Sequence, residues 1–140
     1  MPFSFHVDES AGVFHIRAFR KVDDAQVIAF YERLLQESAF TSGRPVLCDC
    51  STLTAASISA TLIESLAKRL RSRTNLVAII APRASVFGLA RMYQIFCDPM
   101  DERIHVFAES KEAVAWLHNA LSASATEDRP ITSPQSRSAA

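Results

Sequence analysis

The residues best suited to chemistry lie together in one segment, VLCDCSTLTAASISATLI, at positions 46–63. An apolar run with an acid and two thiols is followed by a stretch rich in hydroxyl groups. This pattern predicts a buried strand that ends near Cys50, a polar turn over residues 51–59, and a helix that begins near Ser57. Ligands of open α/β sheets bind where parallel strands end, and the free amides at a helix start favour an anion. The candidate ligand-binding or partner-binding residues of this segment are Asp49, Ser51, Thr54, Ser57 and Ser59.

Two interpretations of this segment stay open. It is either a recognition surface on which Ser57 or Ser59 is modified, or a simple connection in which Ser57 caps the helix and the threonines serve the turn. Asp49 likewise either orients the amides of the turn or is solvated at the edge of the sheet.

The cysteine pattern argues against a metal or disulfide site. Cys48 and Cys50 are two apart in a strand, so they point the same way but are poorly placed to bond each other. A metal pair would need two further ligands, and no second Cys-x-x-Cys or His cluster is present. We expect small core residues here, no metal and no cofactor. Three cysteines without a disulfide framework favour a reducing, cytoplasmic location.

The predicted third helix, SVFGLARMYQIFCD, has little polar surface apart from Arg91 and Gln94. One helix on one sheet needs only an apolar stripe. The additional apolar area is covered either by neighbouring helices or by a partner of another kind, namely a second subunit, an apolar ligand or the membrane surface. For that reason Phe87 and Arg91 are added to the candidate binding residues. A basic cluster comes before it and is either a solvated helix end or a contact with anionic lipid; its members are Lys68, Arg69, Arg71 and Arg73.

Residues 3–7 and 13–19 alternate between apolar and polar side chains around the segment DESAG, which predicts an antiparallel hairpin. If Val7 pairs with Phe14, then His6 faces His15 on the polar side. The two histidines are either a metal or pH-sensitive pair or part of a plain polar face.

Bulk properties exclude several classes of protein. The chain has 140 residues, is 49% hydrophobic and has a net charge of zero, which suits one domain and argues against a general nucleic-acid binder. The first residues do not resemble a signal peptide, and no apolar run reaches the length of a membrane span. Nucleophile-elbow, Walker and dinucleotide motifs are missing, so we expect no enzyme.

The remaining patterns complete the predicted order of elements. Asp23 and Gln26 have the spacing of a capping box, at the start of a helix that we expect to reach Phe40. Helices near residues 57–72 and 85–98 alternate with strands in NLVAIIAP and RIHVFAE. A last helix is capped by Ser110, with Val114, Leu117 and Leu121 as core positions and Trp116 partly buried. Residues 122–140 are predicted to be a disordered tail after a domain of residues 1–121.

The order is therefore β-β-α-β-α-β-α-β-α. It predicts a single-domain α/β fold with a mixed, mostly parallel five-stranded sheet and about four helices.

This order resembles the STAS domain, and more closely its SpoIIAA-like branch, over residues 3–121. In signalling members a strand-end aspartate, matched here by Asp49, is followed by an Asp-Ser pair whose serine is phosphorylated. Counted without gaps, Ser57 falls on the aspartate of the pair, Ile58 on the phosphorylated serine and Ser59 on the next small polar residue; Ala60 replaces a frequent glycine. The segment RIHVFAESKEAVAWL is similar to the closing strand, turn and helix of the branch.

The resemblance implies a non-catalytic regulatory module that works by protein–protein contact and lacks the usual serine switch, because isoleucine cannot accept a phosphoryl group. The alternative is a protein that binds lipid or another apolar small molecule, with peripheral membrane contact. The expected partner is thus a protein or an apolar ligand and not a nucleic acid, and a homodimer through an apolar helix or hairpin face is a further expectation.

Overall fold

The computed structural model describes residues 2–71, 73, 75–100 and 102–127, which form five strands and five helices. The elements are β1 (Phe3–Asp8), β2 (Val13–Asp23), α1 (Asp24–Leu34), α2 (Ser38–Thr41), β3 (Val46–Ser57), α3 (Ala60–Leu70), β4 (Val77–Ile80), α4 (Ala84–Cys97), β5 (Ile104–Phe107) and α5 (Ser110–Glu127). The predicted α/β architecture is confirmed, with the four-residue α2 as an addition.

The strands form one mixed sheet in sequence order, β1-β2-β3-β4-β5. β1 and β2 are antiparallel, and the other three neighbouring pairs are parallel. The predicted hairpin register is confirmed, since Val7 pairs with Phe14 and His6 with His15. Gly12 has a φ of 70°, and its amide donates to the carbonyl of Asp8 at 2.7 Å, which closes the turn.

This strand order explains how the helices are distributed. Crossovers between neighbouring parallel strands share one hand, so α1, α3 and α4 fall on the same side of the sheet, here called the three-helix face. Their apolar residues pack on β2–β5 through residues such as Ala18 and Ile79. The opposite side, here called the α5 face, is covered by α5, whose Ala113 and Leu117 pack against Leu47 and Ala78.

The predicted polar turn over residues 51–59 is wrong, because β3 continues through Ser57. Beyond Asp49 it pairs with a continuation of β2 alone, and this two-stranded parallel segment, residues 19–23 and 52–57, is here called the ribbon. Two register shifts give β3 an extra residue each time, as in β-bulges. The hydroxyl of Thr54 donates to the carbonyl of Arg20 at 2.8 Å. Hydroxyl groups that indicated a turn therefore support an irregular strand.

The helix boundaries also differ in part from the prediction. The capping box is confirmed: the carboxylate of Asp23 accepts from the amide of Gln26, and the side chain of Gln26 accepts from the amide of Asp23, both at 3.0 Å. The helix expected to reach Phe40 instead stops at Leu34 and is followed by α2. Ser57 does not cap the next helix, because the N-cap of α3 is Ser59.

One of the three core positions predicted for α5 is wrong, whereas Leu117 and Leu121 pack against the core as predicted. Val114 is 50% exposed, whereas Ala113 is 0% exposed and is the residue that faces the sheet one turn before Leu117. Leu117 is buried and Trp116 is partly buried, as expected. α5 continues through Glu127, past the predicted boundary at residue 121. The rest of the predicted tail, residues 128–140, lies outside the described residues.

Candidate functional site

An apolar cavity of about 180 Å³ lies between the three-helix face of the sheet and its helices. On α4, residues 86, 90, 93 and 97 follow helical spacing and all line it. The opposite walls include Ile79 from the sheet, Leu66 from α3 and Val27 from α1, and Leu53 and Ala56 line it from the ribbon. Most of the lining is aliphatic or aromatic, so the cavity suits the body of an apolar molecule.

Two tyrosines, Tyr31 and Tyr93, are among the residues that line the cavity. The rings of Tyr31 and Tyr93 are tilted against each other, with centroids 6.4 Å apart. Burial raises the pKa of Tyr31, and burial followed by the proximity of Tyr31 raises the pKa of Tyr93 well above its usual range. Both phenols are therefore held in the neutral, protonated form.

Three thiols also line the cavity. The sulfur atoms of Cys48 and Cys50 are 3.9 Å apart, and both residues are free cysteines. The contact with Cys50, together with burial, raises the pKa of the Cys48 thiol, and burial raises that of Cys97. Within the part of the chain that the structure describes, no three His, Cys, Asp or Glu side chains are grouped so as to hold a metal ion.

The cavity ends near the first residues of β3, β4 and β5, where polar side chains join its lining. Asn75 is buried, and its side-chain amide donates to the carbonyls of Phe40 at 3.2 Å and Arg44 at 2.7 Å. This pairing ties the segment before β4 to α2 and to the start of β3. Arg73 and Arg103 line the same end.

Asp49 and Ser51 interact with each other at the first bulge of β3. The carboxylate of Asp49 accepts from the amide of Ser51 at 2.9 Å and from its hydroxyl at 2.6 Å. Asp49 thus orients a backbone amide next to the register shift, which it does within a strand and not within a loop.

The start of α3 is occupied by a carboxylate from the same chain. Asp24 accepts from the amide of Ser59 and from its hydroxyl, each at 2.8 Å, and the Ser59 hydroxyl accepts from the amide of Leu62 at 3.2 Å. The charge of Asp24 therefore lies at the N-terminal ends of both α1 and α3, where the helix dipoles favour an anion. Ser57 is exposed at the end of β3, and Ile58 lines the cavity.

The candidate residues of α4 lie in different surroundings. Phe87 is partly buried and packs against the apolar core, whereas Arg91 donates to the side-chain oxygen of Gln94 at 2.5 Å. The expectation that Gln94 supplies polar surface is wrong: it is 0% exposed. Ile95 is 54% exposed, so part of the apolar surface of α4 does reach solvent.

The two hairpin histidines, His6 and His15, lie on the α5 face of the sheet, because they alternate along β1 and β2 with the core residues that point to the three-helix face. Their rings are stacked, with centroids 4.8 Å apart. Partial burial, together with the proximity of His6, lowers the pKa of His15, while the charges of Asp8 and Asp49 oppose that shift.

The seven candidate residues therefore have separate local roles. Five of them make hydrogen bonds: Asp49 and Ser51 with each other, Thr54 with Arg20, Ser59 with Asp24, and Arg91 with Gln94. The cavity was not foreseen from the sequence. The available signal was the presence of Tyr31 and Tyr93 within the predicted first and third helices, because a buried phenol needs a polar neighbour.

None of the helices in the described part of the chain combines the length and apolar character needed to cross a membrane.

No protein-family model matches the chain, and no curated protein matches it. A crystal structure of an uncharacterised DUF3478-family protein from Shewanella loihica PV-4, described as having a SpoIIAA-like fold, is similar to it with a TM-score of 0.55. The two are 19% identical, over 82% of this chain and 93% of that one. The likeness shows that this chain has a SpoIIAA-like fold, as the order of its elements predicted.

Proposed function

We propose that the protein binds a small apolar molecule in the cavity between its sheet and α1, α3 and α4. The observation that carries this proposal is a cavity of about 180 Å³ with an almost wholly apolar lining. Apolar surface in contact with water is unfavourable by roughly 25 cal/mol per Å², so an apolar occupant that covers this lining would stabilise the fold.

The chemistry of the lining supports binding without turnover. The raised pKa values of Tyr93 and Cys48 keep both groups protonated, which makes them poor nucleophiles and poor general bases at neutral pH. They remain able to donate or accept one hydrogen bond from a ligand. Apart from Arg73 and Arg103 at one end, the site therefore offers shape, apolar contact and a few neutral polar atoms.

Benzene is a suitable first probe, because a dry cavity of ~150 Å³ in another protein binds it. We expect saturable shifts of the backbone amide signals around the cavity in an NMR titration of the full chain with benzene, and a rise in Tm with benzene concentration. The variant Ala90→Leu places three further carbon atoms in the cavity from α4. We expect it to fold, with a Tm close to or above that of the original protein, and to lose benzene binding.

Val114→Ala is the matched control, since Val114 is half exposed on the opposite side of the sheet. This variant should bind benzene as the original protein does. The absence of saturable shifts in the original protein would contradict the proposed function, as would equal binding by Ala90→Leu.

A second candidate is a regulatory module that works by protein–protein contact without a serine switch. The contact between Asp24 and Ser59 favours it. The Asp24 carboxylate now accepts a hydrogen bond from the Ser59 hydroxyl at 2.8 Å. A phosphoryl group on Ser59 would place ~2 negative charges next to that carboxylate, which would repel them. Ile58, beside it, has no hydroxyl and lines the cavity.

The test is mass spectrometry of the intact protein after co-expression with a serine kinase that phosphorylates SpoIIAA-like proteins. We expect no phosphorylation at Ser57 or Ser59. Stoichiometric phosphate on either residue would overturn this candidate and leave the apolar-ligand proposal unaffected.

A further inference from the structure

We infer that the apolar ligand carries an anionic head group, of the carboxylate class, which Arg73 and Arg103 hold at one end of the cavity. This inference rests on the proposed function and specifies its ligand. The two arginines line the cavity beside Val77 and Ile104, the first residues of β4 and β5. The rest of the cavity would take the apolar body.

The strongest observation concerns a nitrogen atom of Arg73. Its Nε is buried and has no hydrogen-bond partner within the described chain. A guanidinium nitrogen that is removed from water without a partner costs more than a neutral one, so such groups are rarely left unpaired. A carboxylate that entered the cavity would supply the missing acceptor.

The neighbouring charges leave this position positive. Arg103 donates from its guanidinium to the backbone carbonyl of Arg73. The buried carboxylate of Asp98 accepts from the backbone amides of Arg103 and Ile104, at 2.5 and 3.0 Å. Among the described residues, neither cavity arginine makes an ion pair within 4.0 Å, so no direct salt bridge neutralises them.

A competing explanation is that basic residues simply follow the C-terminal end of α3, where the helix dipole favours cations. That accounts for Lys68 and Arg69 in the last turn of α3. The helix dipole does not account for a buried, unpaired Nε of Arg73, because a guanidinium in solvent would interact with the dipole equally well. The same dipole opposes an anion at this end, but by less than ~1 kcal/mol, which is smaller than a charge-assisted hydrogen bond to arginine.

The cavity volume limits the length of the apolar body. A volume of about 180 Å³ accommodates six carbon atoms, since ~150 Å³ accommodates benzene. Hexanoate, 1-hexanol and hexylamine therefore form a matched series with one chain and three head groups. We expect hexanoate to bind about tenfold more tightly than 1-hexanol, and hexylamine most weakly, in NMR titrations of the full chain at pH 7.

The guanidinium carbon of Arg73 lies 5.9 Å from the centroid of the Phe40 ring, and Arg73→Met removes the charge but retains an apolar side chain beside that ring. It should abolish the preference for hexanoate and leave the affinity for 1-hexanol unchanged. Arg69→Met is the control, because it removes one positive charge from the same end of α3 at an exposed position that does not line the cavity. This control should keep the preference.

The outcomes separate the two proposals. Equal binding of hexanoate and 1-hexanol, or a preference that survives Arg73→Met, would overturn the inference about the head group and leave the proposed function standing. Failure of benzene and of all three hexyl compounds to bind would overturn both.

Discussion

On the three-helix face, helices α1, α3 and α4 enclose a cavity of about 180 Å³, whereas on the α5 face a single helix packs closely on the sheet. Ala78 and Ala113 are both 0% exposed and let α5 approach the strands. On the three-helix face, Tyr31 and Tyr93 line the cavity. The number of covering helices therefore does not decide how well a face is packed.

Replacing alanine by leucine on each face tests this difference and has the largest expected effect. Ala113→Leu forces extra carbon atoms into a filled contact and should lower the free energy of unfolding by about 1–3 kcal/mol. Ala90→Leu adds the same atoms beside the cavity and should change it by less than ~1 kcal/mol, or raise it. Urea denaturation of both variants measures the comparison, and equal losses would show that the two faces are packed alike.

Alkaline pH should act on the three-helix face and has an intermediate expected effect. The pKa values of Tyr31, Tyr93 and Cys48 are raised by folding above ordinary values of 10.0 and 9.0. The unfolded chain therefore loses these protons first, so the free energy of unfolding should fall as the pH rises from about 9 upwards. In urea denaturation between about pH 8 and pH 10.5, Tyr93→Phe should reduce this slope. An unchanged slope would contradict the burial of its hydroxyl.

Mild acid should act on the opposite side of the sheet, with the smallest expected effect. The pKa of His15 is lowered from its ordinary value of 6.5, so the unfolded chain takes up this proton first as the pH falls. Stability should then decrease below about pH 6.5. His15→Gln should remove that part of the slope in urea denaturation. The control His118→Asn, at an exposed position of α5, should retain it; a slope shared by all three proteins would count against His15.

Periodic patterns predicted the fold well, because they reflect local physics. The hairpin register followed from alternation around Gly12, and the start of α1 followed from the capping box of Asp23 and Gln26. The error over residues 51–59 arose because serine and threonine serve turns and bulged strands alike. Only the pairing of β3 with the continuation of β2 distinguishes the two cases, and that pairing is not local.

The candidate site was harder to predict, for a similar reason. A cavity is a property of how three helices meet one sheet, so no single segment contains it. The burial of Gln94 and of the Nε atom of Arg73 depends on neighbours that lie far away in the chain. The sequence indicated that α4 is unusually apolar, and two of its apolar residues, Val86 and Ala90, do line the cavity.

The ribbon has a consequence for how solvent reaches the interior. Its two strands pair only with each other over most of their length, so each offers half of the backbone protection found in the middle of the sheet. Local opening should be least costly there, and deuterium should replace its amide hydrogens earlier than those of β4. Because Leu53 and Ala56 belong to both the ribbon and the cavity wall, such an opening would widen the access of bulk water to the cavity while the remaining strands stay paired.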